Sequence, residues 1–192
     1  MITPVKIVLR AEGPYWLGDT ADEQAHDPCA HGSVTLAIDE TLFAGPPETD
    51  GTNVTGAGLF LLRTLSYSHT HPDWLVTEGE DDNQLLAHCA SPLPSSGTND
   101  EFAVYVAGCP YGVNVEVLRD DGTVVIRRDE RSAQVTAEDW RTAVLSFCEA
   151  VEAFYETSPP RLPLDANHDE WEPFWQEWND RKRMALRSGE HL

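Results

Sequence analysis

Apolar and polar positions set out the elements of this chain before any composition is considered. Val5, Ile7 and Leu9 alternate with Lys6, Val8 and Arg10, which predicts a strand with one face more polar than the other. Residues 11–32 are rich in Gly, Asp, Pro and His and read as a loop. Val34, Leu36 and Ile38 alternate again as a second strand, with a continuation through Leu42 and Phe43. Residues 45–53, carrying Pro46 and Pro47, form another loop. Leu59, Phe60, Leu61, Leu62 and Leu65 then make a segment apolar nearly all round, the pattern of a buried helix. Thr55 is its expected cap, and it should stop near Ser68, before Pro72. A strand is the alternative for the same run.

The second half alternates more clearly. Residues 85–89 suit a short strand, and residues 91–100 a Pro/Ser/Gly loop. Phe102, Val104 and Val106 make one strand. After a turn at Cys109-Pro110-Tyr111-Gly112, Val113, Val115 and Val117 make another. Asp121-Gly122 is a strong hairpin signal, returning the chain as a strand over 123–128 with Val124 and Ile126 on one face. Thr136 and Asp139 form a Thr-x-x-Asp relative of the capping box. Trp140, Ala143, Val144, Phe147, Cys148, Val151, Phe154 and Tyr155 follow at steps of three and four, an amphipathic helix ending before Pro159 and Pro160. Trp171, Phe174, Trp175 and Trp178 share one face of a last helix. It should start near residues 169–172, because Pro173 is tolerated only in a first turn.

The order of elements predicts an α+β fold. Its mainly antiparallel sheet has about six strands, with a buried helix and two C-terminal helices packed on one face. One domain over residues 1–192 is expected, with the C-terminal helix, about 169–187, as an appended arm in the alternative.

Charge changes this picture. The 192 residues carry 33 acidic and 13 basic side chains, a net charge of -20. That argues against a direct nucleic-acid binder and a polybasic membrane-surface protein. No apolar run is long enough to span a membrane and no signal segment is seen, so a cytoplasmic protein is expected. The acidity is spread along the chain: -7 over residues 1–60, -8 over 61–130 and -5 over 131–192. Its local peak is Glu78, Glu80, Asp81 and Asp82, either a solvated loop or a contact for a basic partner.

Candidate chemistry is sparse. His26, Cys29 and His31 lie close in sequence. His69, His71, His88 or Cys89 could complete a zinc set on paper, but the spacing fits no zinc pattern, so no metal and no cofactor are expected. No nucleophile elbow, metalloprotease helix or phosphate loop is present, and no catalytic residue is assigned. Gly56 and Gly58 lack the spacing of a dinucleotide fingerprint and read as close packing or the start of a helix. Trp171, Trp175 and Trp178 are either core or, with the neighbouring Arg residues, an anchor for a partner. Cys148, on the apolar helix face, reads as a core residue.

Three stretches carry a family resemblance: residues 58–65 followed by Ser68-His69-Thr70; Gly108-Cys109-Pro110-Tyr111-Gly112; and residues 140–160 followed by Phe174-Trp175-Gln176-Glu177-Trp178. Together they resemble uncharacterised actinobacterial proteins that are similar in style to immunity proteins of polymorphic toxin systems: small, acidic, α+β and cytosolic. The resemblance implies an inhibitor that neutralises a cognate basic toxin domain by direct binding. The alternatives are an enzyme with a non-local site drawn from His69, His71, His88 and Cys109, and an acidic DNA mimic.

Overall fold

A computed structural model describes residues 5–69, 84–92, 104, 106–108, 111–162 and 168–188. Among these, eleven short strands and four helices give an α+β fold in which every strand pairing is antiparallel. The strands are shorter and more numerous than the sequence suggests, and they fall into four small sheets.

The first strand, β1 (Ile7–Tyr15), runs well into the stretch read as a loop. It is followed by the short helix α1 (Ala21–His26), closed by a capping box between Thr20 and Glu23. The second strand, β2 (His31–Ile38), pairs with β1 from Ile7↔Ile38 onward. It does not continue through Leu42 and Phe43. The chain reverses at Asp39 and Glu40 and returns as β3 (Thr41–Ala44). Asp39 adopts a φ of 52°, a left-handed conformation that Asp accepts more readily than most residues. Its carboxylate accepts from the Lys6 N–H at 2.9 Å. A two-residue strand, β4 (Thr52–Asn53), adds to β2 at His31↔Asn53.

The helix α2 (Val54–Arg63) is buried at all ten positions. The helical reading of the Leu-rich run holds, and the strand alternative does not. Its cap is Asn53, whose side chain accepts from the Gly56 N–H at 2.8 Å. Thr55 lies inside the first turn, where its hydroxyl accepts from the Ala30 N–H. Both glycines of α2 are there for close packing. A Cβ at Gly56 would sit 2.2 Å from Ala90 Cβ, and one at Gly58 would sit 2.3 Å from the Trp178 indole.

Two short pairs follow: β5 (Leu86–Ala87) with β8 (Gly112–Val113), and β6 (Ala90–Pro92) with β7 (Val106–Gly108). The run through Val113, Val115 and Val117 is split between β8 and β9 (Glu116–Asp120), although all three side chains are buried. The hairpin forms as expected: β9 turns at Asp121-Gly122, with Gly122 at φ 80°, into β10 (Thr123–Arg128). A strand not foreseen, β11 (Arg131–Thr136), pairs along the whole of β10.

The long helix α3 (Ala137–Thr157) is capped by Thr136, which accepts from the Asp139 N–H at 3.0 Å. Its buried residues are Trp140, Val144, Phe147, Cys148 and Val151, the face that the periodicity marks. It lies against β1 and α2. The last helix, α4 (His168–Ser188), begins one residue upstream of the expected start, so Pro173 sits in its second turn. It lies against α2 and β6, and its Phe174 and Trp178 belong to the same hydrophobic core as α2 and α3.

Candidate functional site

Two buried polar clusters stand out, and they are built differently. The first joins α2 to α4. Arg63 and Glu177 are both almost fully buried and meet as a bidentate pair, Nε to Oε1 and Nη2 to Oε2, each at 2.8 Å. Arg63 also donates to the Val104 carbonyl at 2.9 Å, and the Val104 N–H donates to Glu177 at 2.7 Å. Arg181 adds a bond to Glu177 at 2.6 Å. Burial alone would raise the Glu177 pKa, but the charges of Arg63 and Arg181 outweigh it and hold the carboxyl below its usual range. This cluster is a clamp whose donors and acceptors satisfy one another.

The second cluster lies where the chain enters β2. Cys29 Sγ is 3.5 Å from His31 Nε2 and 3.6 Å from Asp27 Oδ1, and His31 Nε2 is 3.6 Å from Asp27 Oδ2. One ligand atom from each residue lies within 4.8 Å of the others. Cys29 and His31 are buried, and the Asp27 side chain is nearly so. Burial works against the Asp27 charge, but bonds from His31, the Leu17 N–H (2.6 Å) and the Cys29 N–H (3.3 Å) prevail, leaving its pKa lowered. Burial, then the Asp27 carboxylate, push the Cys29 thiol up.

The positions of these three follow from the backbone between them. The chain bends at Cys29, and its backbone on either side, at Pro28 and Ala30, is tied to the helices. The Ala30 N–H donates to Thr55 Oγ1 at 2.9 Å, the Thr55 hydroxyl lies 2.9 Å from the Tyr155 hydroxyl, and Tyr155 donates to the Pro28 carbonyl at 2.9 Å. The Ala30 carbonyl accepts from the Val54 N–H at 2.9 Å. With the backbone at 28 and 30 pinned to α2 and α3, the Asp27 and His31 side chains on either side of the bend meet the Cys29 thiol.

The structure therefore brings Cys29 and His31 together and leaves His26 out. His26 Nδ1 donates back to the Asp22 carbonyl of α1 at 2.7 Å. Asp27, the third member, was not marked in the sequence. Its signal is the alternation Asp-x-Cys-x-His over 27–31, hidden among 33 acidic residues. His69 is buried, and burial lowers its pKa to about 4, so it is neutral at pH 7. His88 and Cys89 are exposed neighbours, with Sγ 3.7 Å from Nδ1. His71, Cys109 and the acidic run Glu78, Glu80, Asp81 and Asp82 lie outside the described residues.

The aromatic stripe of α4 points mainly inward. Trp178 is fully buried, Trp171 nearly so, and Trp175 half-buried. Trp178 donates to Glu152 at 2.7 Å, and Trp175 packs edge-on against Tyr155 at 5.1 Å between centroids. Between α3 and α4 these aromatics floor a shallow groove of about 300 Å³, walled by Glu152, Glu156 and Asn179. A second hollow, of about 440 Å³, lies beside Tyr67, Arg183, Met184 and Arg187.

No helix among the described residues is long and apolar enough to cross a membrane. Compared with known proteins, the chain matches no family model, no curated protein and no solved structure.

Proposed function

We propose that this is an acidic binding protein of the cytoplasm that neutralises a basic protein partner, as an immunity protein covers its cognate toxin. The observation that supports this reading is what becomes of the bases. Among the described residues, the chain's own carboxylates engage at least eight of the thirteen Lys and Arg side chains: Arg10, Arg63, Arg128, Arg131, Arg141, Arg181, Lys182 and Arg183. The fold consumes its positive charge internally, while Asp19, Asp22, Glu40, Asp121, Glu149 and Glu156 stand exposed. Such a surface speeds encounter with basic partners and repels acidic ones.

The proposed contacts are the acidic run Glu78, Glu80, Asp81 and Asp82 and the groove between α3 and α4. There an aromatic floor under Glu156 suits an Arg or Lys side chain, by charge and by cation–π attraction. Of the three tryptophans of α4, Trp175 is the one with surface to offer.

The test is co-expression with basic toxin domains encoded beside this chain. Protection of the cells and a complex that weakens with salt are expected. Glu156→Lys, or charge reversal at Glu80, Asp81 and Asp82, should slow association without unfolding the protein. Failure to protect against every such toxin sinks the proposal.

A further inference from the structure

We infer that Asp27, Cys29 and His31 form a binding site for a zinc-type divalent metal ion, with one coordination position left open. This goes against the absence of a metal expected from the spacing, and it stands apart from the binding function proposed above. Three observations carry it.

The first is distance. Around a tetrahedral ion with bonds of about 2.0 to 2.3 Å, pairs of ligand atoms stand roughly 3.3 to 3.8 Å apart. The three separations here are 3.5, 3.6 and 3.6 Å. The two edges to Asp27 use different carboxylate oxygens, so a small rotation of that group, or its bidentate use, completes the set. The two sulfur edges are lengths that a thiol hydrogen bond also takes, but the His31–Asp27 edge, at 3.6 Å, suits ligation better than a strong hydrogen bond, which would draw that nitrogen and oxygen to about 2.7–2.9 Å.

The second is direction. In a Cys-His-Asp catalytic triad the nucleophile and the carboxylate sit on opposite nitrogens of the imidazole. Here both address Nε2. A relay cannot run through one nitrogen, whereas three donors converging on one point are what a cation requires. Sulfur, imidazole nitrogen and carboxylate oxygen together suit zinc rather than magnesium or calcium, which take oxygen ligands.

The third is preorganisation. The Asp27 carboxylate is held by the Leu17 and Cys29 N–H groups. The backbone at Pro28 and Ala30 is held by Tyr155, Thr55 and Val54. Such outer contacts orient ligands in known metal sites. The ion would take the place of the Cys29 thiol proton, released to solvent.

The test is titration of the full chain, stripped of metal, with Co2+ followed by absorbance, then displacement with Zn2+. One equivalent of Co2+ is expected, showing a thiolate-to-cobalt charge-transfer band and the visible bands of tetrahedral cobalt. Cys29→Ser should remove the thiolate band. His31→Ala should weaken Co2+ binding more than the roughly 10- to 100-fold loss seen for outer-contact changes. Cys89→Ser should change neither. X-ray absorption on the zinc-loaded, unaltered chain depends on no variant's folding, and should show a sulfur neighbour beside nitrogen and oxygen. No stoichiometric binding, a zinc shell without sulfur, or a thiolate band removed by Cys89→Ser but kept in Cys29→Ser would overturn the assignment.

Discussion

The Arg63–Glu177 clamp and the Asp27–Cys29–His31 cluster are both buried, and both mix charge with hydrogen bonding. In the clamp, bonds of 2.6 to 2.9 Å use up the facing donors and acceptors. In the cluster, the Cys29 thiol donates to Asp27 over 3.6 Å and lies 3.5 Å from His31 Nε2, and His31 Nε2 stands 3.6 Å from Asp27, so the three side chains face one point without a short bond among them. The contrast separates two uses of buried polarity. A short, closed network fixes one element to another. A longer, convergent one leaves space that a small cation fills.

Breaking the clamp should have the largest effect. Glu177→Ala leaves Arg63 buried without its carboxylate and is expected to cost about 3–5 kcal/mol in chemical denaturation. Asp27→Asn in the metal-free chain should cost far less, because the cluster is not closed upon itself. Equal losses at the two sites would erase the distinction.

A third buried group sharpens it through pH. Burial lowers the His69 imidazole pKa to about 4 in the folded protein, against about 6.5 in an unfolded chain. Its contribution is complete above pH 6.5. It is lost as pH falls toward 4, because only the unfolded chain takes up the proton in that window. The loss should approach about 3 kcal/mol, and His69→Gln should flatten the stability curve there. Glu177, with its pKa lowered, adds a further loss at lower pH, as its carboxylate protonates.

Gly58→Ala tests whether the clamp depends on the packing beside it. The new methyl would meet the ring of Trp178, the residue next to Glu177, and should cost about 1–3 kcal/mol. A blue-shift or quenching change in tryptophan emission would report displacement of Trp178. Smallest of all should be Arg183→Ala. Its pair with Asp180 is exposed, and denaturation should move by less than about 0.5 kcal/mol.

Elements with a strong local signal were legible in the sequence. The 3.6 period and Thr136 define α3, and Asp121-Gly122 defines the β9–β10 hairpin. The reversal at Asp39-Glu40 was missed because it uses no glycine, and β11 because Arg131, Ser132 and Gln134 make its alternation polar. The cap of α2 was placed at Thr55 instead of Asn53: both residues suit a cap, and only the tertiary contact of Thr55 with Ala30 and Tyr155 decides between them. Cys29 and His31 were visible as a pair. Asp27 was not, since its role depends on a bend held at Pro28 by Tyr155, 127 positions further along the chain.

The Arg63–Glu177 pair spans 114 positions, and this sets an order of assembly. During synthesis α2, apolar on nearly every side, leaves the ribosome long before the helix that covers Gly58 and neutralises Arg63. Until α4 arrives, the centre of the protein is an open, charged hydrophobic surface that can associate with other chains. The core therefore cannot close before α4 has been made, and that helix acts as the bolt that ends the exposure.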